Sequence, residues 1–306
     1  MKLEGVHHVT AITSDAQLNL DFYVGVMGLR LVKKTVNQDN PGVYHLFYSD
    51  DDGSAGADIT FFEYPGLPPG RAGAGMVHTV IWRVGSDESL AFWKERLEEL
   101  GHRAETSGDG VAFHDPEGLR HLLTVSSVED APLSASHPDI PSEHALQGFE
   151  GVRAYSAAPG ASEVLLSEGL GFERKGDEWE TRGATRGGTY AYDPPPSEPG
   201  MQGAGTVHHV AWASQPEEMD SWRAKVMEAG ASPTPQIDRF YFKAIYFHEP
   251  SGVLFELSSL GPGFTVDEPV DSLGEKLSLP PDYEHLRDQV EPILRPLVSP
   301  LSDRGD

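Results

Sequence analysis

The chain of 306 residues contains no cysteine. This absence excludes disulfides, thiolate nucleophiles and every zinc or iron–sulfur site that depends on cysteine ligands. The chain also lacks any run of about eighteen apolar residues, so the sequence predicts no membrane-spanning helix and no membrane partner. A metal bound by this chain must therefore be held by histidine, aspartate or glutamate.

Positive charge is scarce as well. The 48 Asp and Glu residues outnumber the 23 Lys and Arg residues, which gives a formal net charge of −25. Such a surface repels phosphate backbones and argues against a nucleic-acid partner. The acids are scattered, which is typical of a highly solvated surface. A halophilic source is a hypothesis for this balance, because concentrated salt screens self-repulsion. It requires the protein to unfold more readily in dilute buffer than in molar salt.

One short phrase occurs twice in the chain. Residues 75–82 read Gly-Met-Val-His-Thr-Val-Ile-Trp, and residues 205–212 read Gly-Thr-Val-His-His-Val-Ala-Trp. A helix-like stretch and a His-(Asp/Glu)-Pro-x-Gly turn follow each copy. The first copy has Thr79 and Leu122 where the second has His209 and Glu256. A duplicated scaffold with ligand-type residues in one copy predicts a single metal site on a repeated fold.

The repeat extends to four βαβββ units, which begin near Val6, Val77, Gly148 and Val207. Alternating β-branched strands and glycine-stopped helices define each unit. The helices are predicted over residues 16–26, 88–100, a stretch ending at 166, and 216–229. One such unit presents an incomplete curved sheet, and two can close against each other. The predicted fold class is therefore α+β, with four units forming two half-barrel pairs.

Gly- and Pro-rich segments separate the units and set the domain boundaries. We predict an N-terminal domain at 1–130, a linker at 131–147, a C-terminal domain at 148–262 and a tail at 263–306. The tail contains one short helix candidate at 283–294. The first residues lead into a strand-like segment without a signal-peptide pattern, which predicts a cytoplasmic protein.

Three side chains suit a metal. His8 lies in the first strand of unit one, whereas His209 and Glu256 lie in the first and last strands of unit four. A carboxylate within an apolar run is costly unless something positive compensates it. Two histidines and one carboxylate with open positions form the facial triad of non-haem Fe(II) oxygenases, although Mn, Zn and Ni accept the same ligands. A lone strand histidine is more often a core residue, but the difference between the two copies favours metal binding.

The chain resembles the vicinal oxygen chelate superfamily, which includes glyoxalase I, fosfomycin resistance proteins and extradiol ring-cleaving dioxygenases. It is most similar to the branch that cleaves hydroquinones, of which chlorohydroquinone dioxygenase is the known type. The similarity covers almost the whole chain. The segments that carry it are residues 7–10, 22–33, 44–46, 143–149, 208–209 and 252–256.

The resemblance implies iron ligands at His8, His209 and Glu256. It also implies that the substrates are dioxygen and a small aromatic diol, which is hydroquinone-type with para hydroxyls or, as the alternative, catechol-type. A homo-oligomer is left open. Five neighbouring residues match the family pattern: His7, Thr10, His208, Arg239 and Tyr246.

Each of these neighbours has an expected role. His208 is the acid/base candidate, because an imidazole with a near-neutral pKa can exchange a phenol proton. Arg239 would stabilise negative charge and Tyr246 would donate a hydrogen bond to the substrate. His7 and Thr10 would support the metal ligands. Phe240, Tyr241, Phe242 and Trp212 are candidates for the pocket walls.

The ligand positions also predict which units pair. Three ligands within about 2.0–2.2 Å of one metal require units one and four to share a half-barrel. Units two and three would then form the ligand-free one.

Two other functions remain open from the sequence. A glyoxalase-like lyase or isomerase would use Zn or Ni and usually a fourth protein ligand, for which Glu63 is available. A non-catalytic binding or resistance protein would sequester an aromatic compound without metal-dependent turnover.

Overall fold

The computed structural model of the protein describes residues 1–302, whose strands form two eight-stranded sheets. The first sheet takes its strands from units one and four. They are β1 (Val6–Thr13), β2 (Arg30–Asn37), β3 (Asn40–Ser49), β4 (Asp58–Glu63), β13 (Val207–Ser214), β14 (Ile237–Asp238), β15 (Phe242–His248) and β16 (Leu254–Pro262).

The second sheet is built from units two and three. Its strands are β5 (Met76–Val84), β6 (Glu105–Ser107), β7 (Gly110–His114), β8 (Arg120–Val125), β9 (Phe149–Tyr155), β10 (Glu173–Lys175), β11 (Glu178–Arg182) and β12 (Gly187–Asp193). Both sheets therefore contain strands from each side of the predicted 131–147 linker.

The order of strands is the same in both sheets once the units are superimposed. The first runs β14-β15-β16-β13-β1-β4-β3-β2 and the second β10-β11-β12-β9-β5-β8-β7-β6. An antiparallel pair, β1 with β13 or β5 with β9, joins the two units at the centre. The predicted α+β fold of four units, with units one and four in one half-barrel, is confirmed.

Two longer helices follow the repeated strands. The first, α2 (Asp87–Glu99), begins after Ser86, whose hydroxyl accepts a hydrogen bond from the backbone N–H of Ser89. It buries Trp93 and Leu97, and α3 (Met219–Glu228) correspondingly buries Trp222 and Val226. Apolar side chains at these spacings place one face of each helix against the core.

The helices of the other two units lie where they were predicted but are not regular α-helices throughout. In unit one, α1 (Ala16–Leu20) continues as a π-helical turn at Asp21–Val26. Unit three has a 3-10 turn at Pro159–Ser162 and a π-helical turn at Leu165–Gly169. Gly28, two residues after the first π-helical turn, has a φ of +70°, which suits glycine.

The predicted helix at 283–294 is wrong in extent. A 3-10 helix spans Pro281–Leu286 and α4 covers only Arg287–Val290. The reason is Pro292, since proline disfavours helical backbone in the residue before it and cannot donate an N–H. The tail packs on unit one, where the backbone N–H of Ser278 donates to the carbonyl of Lys34.

The repeated phrase supplies a large part of the core. Trp82 and Trp212, which end its two copies, are fully buried. Trp82 packs on Phe149, and Trp212 packs on Phe172, with ring centroids 4.5 Å and 4.8 Å apart. Each helix within residues 1–302 falls short of the length and apolar character needed to cross a bilayer.

Candidate active site

The three candidate metal ligands meet at one buried point. The Nε2 atoms of His8 and His209 are 3.2 Å apart, and Oε2 of Glu256 lies 3.3 Å from the first and 2.9 Å from the second. All three residues are at least 96% buried. Within residues 1–302 they form the one cluster of three ligand-type side chains close enough for a shared metal ion.

Strand register explains why these side chains share a face. His8 on β1 and Glu256 on β16 are both paired with Ala211, which lies between them on β13. His209 precedes Ala211 by two residues and therefore projects to the same side of the sheet. Because Ala211 is small, the face keeps room at its centre for the three longer side chains.

The distances between these three atoms and their hydrogen bonding fit a divalent metal. Ligands about 2.1 Å from a common ion and at right angles to one another would be about 3.0 Å apart. Oε1 of Glu256 accepts a hydrogen bond from Ser258 at 2.5 Å, but the buried Oε2 has no hydrogen-bonding partner. A bound cation would supply the missing partner, since buried polar atoms are rarely left unsatisfied.

The charge state of Glu256 also suits a metal ligand. Burial alone would raise its pKa, but its interactions with the His8 and His209 rings outweigh that effect. The net result is a pKa well below the ordinary value, so the carboxylate is ionised at neutral pH. The donor set alone does not select among Fe, Mn, Zn and Ni.

His7 fixes the tautomer of His8. Its Nε2 lies 3.3 Å from the carbonyl oxygen of Ser259, which can only accept a hydrogen bond. Burial lowers the pKa of His7 to about 3, so the ring is neutral and Nδ1 is its acceptor. That Nδ1 is 2.9 Å from Nδ1 of His8, which must therefore donate. The Nε2 lone pair of His8 is thus left facing Glu256.

We expect His7→Phe to weaken metal binding about 10–100-fold, the range typical of losing a residue that orients a ligand. Phenylalanine keeps the packing against Phe242, whose ring centroid is 5.4 Å from that of His7. Competition with a chelator would measure the affinity. His78→Phe, in the ligand-free copy, is the control and should leave it unchanged. Equal affinities for wild type and His7→Phe would contradict the orienting role.

His208 makes the corresponding contact with His209. Their Nδ1 atoms are 2.8 Å apart. In the other copy, Nδ1 of His78 makes a similar contact with the hydroxyl of Thr79 at 2.9 Å. The first histidine of the repeated phrase therefore holds its neighbour in both copies.

His208 lies outside the cavity beside the metal ligands. The residue is exposed and borders a separate hollow with His248. Desolvation, then the charge of His209, lowers the pKa of His208 to about 4, below the near-neutral value expected from the sequence. Its acid/base role stays a prediction.

The cavity next to the ligands has a volume of about 40 Å³. Of the predicted neighbours, Thr10, Arg239 and Tyr246 line it. Tyr241 and Phe242 form part of its wall as expected, whereas Phe240 and Trp212 do not line it. An engineered cavity that binds benzene has a volume of about 150 Å³. We therefore expect the walls to move outward when an aromatic ring enters.

Arg239 lines the cavity and contacts both Asp39 and Tyr246. Its guanidinium donates to both carboxylate oxygens of Asp39, at 3.1 Å and 2.9 Å, and lies 5.5 Å from the centre of the Tyr246 ring. Asp39 is 73% exposed, whereas Arg239 is only 18% exposed. Burial would lower the pKa of Arg239, but its bonds to Asp39 and Tyr246 raise it overall.

Tyr246 is a protonated donor at neutral pH. It is paired with Glu256 on the adjoining strand, and its ring lies 5.8 Å from that of His209. Burial, then repulsion from the Glu256 carboxylate, raises its pKa well above the ordinary value. The wall beside the ligands therefore offers one hydroxyl donor and one permanent cation.

Thr10 belongs to a chain of hydrogen bonds that ends at a histidine missed by the sequence reading. Its hydroxyl is 2.8 Å from that of Thr60, which is 3.0 Å from Nε2 of His45. His45 also lines the cavity. Its segment carried the family resemblance, but a single strand histidine gives no sign of which face it occupies.

Glu63 has another function. One of its carboxylate oxygens accepts a hydrogen bond from the backbone N–H of Ala16 at 3.0 Å, at the start of α1. Among the described residues, the ligand cluster contains His8, His209 and Glu256 without Glu63. Glu63 therefore accepts a hydrogen bond at the start of a helix. It is not part of the cluster, so it does not supply the fourth metal ligand that the sequence had left open.

The second sheet cannot reproduce the site. Strand register places Thr79, Leu122 and Gly151 where the first sheet has His209, Glu256 and His8. A Cβ atom at Gly151 would lie 2.2 Å from the carbonyl oxygen of Thr189. Backbone atoms therefore exclude any side chain at the position equivalent to His8.

Comparison with known proteins agrees with this architecture. Residues 5–121 and 166–257 match the model of the Glyoxalase/Bleomycin resistance protein/Dioxygenase superfamily. The chain belongs to this superfamily. It is 41% identical to MhqA of Bacillus subtilis, named as a candidate ring-cleaving dioxygenase, over 97% of this chain and 100% of that one. It is 29% identical to a Chlorohydroquinone/hydroquinone 1,2-dioxygenase of Sphingobium indicum, over 98% of each chain.

Solved structures of other superfamily members share the fold. A crystal structure of a candidate dioxygenase from Bacillus subtilis superimposes with a TM-score of 0.90 at 38% identity, covering 97% of this chain and 98% of that one. Glyoxalase I from Zea mays gives a TM-score of 0.60 at 15% identity, over 84% and 92% of the two chains. The second likeness concerns the fold alone.

Proposed function

We propose that this superfamily member is an Fe(II)-dependent dioxygenase that cleaves the ring of a hydroquinone-type diol with dioxygen. The observation that carries the proposal is the buried His8–His209–Glu256 cluster with an unpartnered carboxylate oxygen, beside a cavity whose wall includes five Phe and Tyr rings. The relatives named as ring-cleaving dioxygenases support the reaction class, and the relative from Sphingobium indicum supports a para-diol substrate.

In this proposal His8, His209 and Glu256 hold the metal, with iron as the native ion and Mn, Zn or Ni as possible replacements. The bound ion would supply Lewis acidity and a redox partner for dioxygen. Phe62 and Phe242 would pack against the substrate ring, since both line the cavity. The Tyr246 hydroxyl would donate a hydrogen bond to a substrate oxygen, and Arg239 would stabilise negative charge on the ring.

His208 is proposed to exchange the substrate proton at its own Nε2, because its Nδ1 is engaged by His209. Its ring packs against Phe62 of the cavity wall, with ring centroids 5.7 Å apart. His208→Ala should then retain iron and lose most turnover, about 10²–10⁴-fold as for other acid–base residues. Iron content and kcat measured on the same sample decide the point. Normal turnover would remove His208 from the mechanism, and loss of iron would assign it the orienting role of His7.

Oxygen uptake tests the proposed function. Protein loaded anaerobically with Fe(II) should consume dioxygen when a hydroquinone is added, whereas metal-free protein should not. A glyoxalase-like lyase would convert its substrate without consuming oxygen. A binding or resistance protein would take up the diol without turnover. Absence of metal-dependent oxygen uptake across a set of substituted hydroquinones would contradict the proposal.

A further inference from the structure

His45 projects from β3 into the cavity and is not among the residues assigned a role above. Its ring is held between Phe47 and Phe62, with centroids 4.0 Å and 4.4 Å away. Nε2 is engaged by Thr60 at 3.0 Å. These contacts fix the orientation of the imidazole without help from a substrate.

The second ring nitrogen of His45 is available for a ligand. Within residues 1–302, Nδ1 has no hydrogen-bonding partner. It is also absent from the set of fully buried, unpaired polar atoms, so it keeps some accessible surface. Since His45 lines the cavity and its Nε2 is engaged by Thr60, Nδ1 is the ring nitrogen left for a ligand there. The rotatable hydroxyls of Thr60 and Thr10 let the chain reverse direction, so Nδ1 can accept from a phenol or donate to a phenolate.

The position of β3 fits a para-substituted ligand. β4 lies between β1 and β3, so His45 and His8 start from strands about 10 Å apart along the sheet. Both side chains reach the same cavity. A ring with hydroxyls pointing in opposite directions can touch the metal site with one oxygen and His45 with the other. Adjacent hydroxyls would both face the metal.

We infer that Nδ1 of His45 binds the substrate hydroxyl para to the metal-bound oxygen. His45 is then the residue that distinguishes hydroquinone-type from catechol-type diols. This assignment rests on the proposed function, because it names the substrate class of the same site. Thr10 then orients the His45 ring through its hydrogen bond to Thr60, which contacts Nε2 of His45. It does not support the metal ligands in this assignment.

Anaerobic calorimetry on the metal-loaded protein tests this assignment without turnover. Wild-type protein should bind hydroquinone about tenfold more tightly than phenol, which lacks the second hydroxyl. In His45→Phe that preference should disappear while the affinity for phenol stays the same. Metal content is measured for each variant, so an effect through the ligands would be seen directly.

A matched pair of amide variants locates the contact. His45→Asn places its amide near the Nδ1 position and should keep most of the preference for hydroquinone. His45→Gln places its amide near the Nε2 position, so it should keep the Thr60 contact and lose the preference. An unchanged ratio of hydroquinone to phenol affinity in both His45→Phe and His45→Gln would overturn the assignment. Equal weakening of both ligands would also overturn it.

The two proposals can fail separately. If the protein consumes no oxygen but its preference for hydroquinone depends on His45, the proposed reaction is wrong and the binding role stands. If oxygen uptake is normal and the preference for hydroquinone over phenol does not depend on His45, the binding role is wrong and the proposed reaction stands.

Discussion

Glu256→Gln is expected to abolish specific metal binding, and turnover with it, by more than about a hundredfold. Loss of a residue that only orients a ligand costs about 10–100-fold, and Glu256 is itself a proposed ligand. The substitution keeps the shape of the side chain and its Oε1 position beside Ser258. The substitution removes the negative charge of the carboxylate, whose Oε2 atom accepts no hydrogen bond from the protein.

Thermal unfolding with and without metal measures this effect independently of activity. An ion at about 100 times its Kd should stabilise wild-type protein by about 2.7 kcal/mol and should leave Glu256→Gln unchanged. Glu63→Gln is the matched control, because Glu63 is also a carboxylate near a strand end but accepts from Ala16. It should keep the metal-dependent shift. Equal shifts in wild type and Glu256→Gln would remove Glu256 from the ligand set.

Lys33→Met should cost about 3–5 kcal/mol of stability, the effect of leaving a buried charge without its partner. Lys33 is completely buried on β2 and is paired with Asp267 at 2.7 Å and with Glu268 in the tail. Asp267 also accepts a hydrogen bond from Tyr241, which lines the cavity. The buried lysine therefore joins the tail, the first sheet and the cavity wall.

Chemical denaturation of Lys33→Met and Lys34→Met would check this prediction. Lys34 adjoins Lys33 but lies partly exposed, and within residues 1–302 its amine donates one hydrogen bond, to the carbonyl of Glu275. Its substitution should change stability by no more than about 0.5 kcal/mol. Similar midpoints for the two variants would show that the Lys33 pair is not a main connection between the tail and the sheet.

The unusual pairing of units could be predicted because it follows from a few residues. The first strand of unit three contains no histidine, whereas that of unit one contains His8, so a complete ligand set needs the two ends of the chain. The strand order confirms that reasoning. Differences between repeat copies indicate functional residues, because residues needed only for the shared fold are the same in both copies.

Other parts of the site could not be read from the sequence. The roles of Ser258, Asp39 and His45 depend on contacts between segments far apart in the chain or on the face that a strand presents. For His208, the strand pattern predicted that the residue lies next to His209. It could not predict that the side chain is exposed or that its pKa is lowered. The end of α4 was different, because Pro292 was a visible signal against a helix reaching residue 294.

Ring cleavage by this protein is tested most directly by the fate of isotopically labelled dioxygen. Fe(II)-loaded protein is given hydroquinone under labelled dioxygen, and the product is analysed by mass spectrometry alongside the Glu256→Gln variant. The expected result is an open-chain product that carries both labelled atoms, formed only by wild-type protein. Unlabelled benzoquinone as the sole product, or an equal yield from Glu256→Gln, would contradict a dioxygenase built on His8, His209 and Glu256.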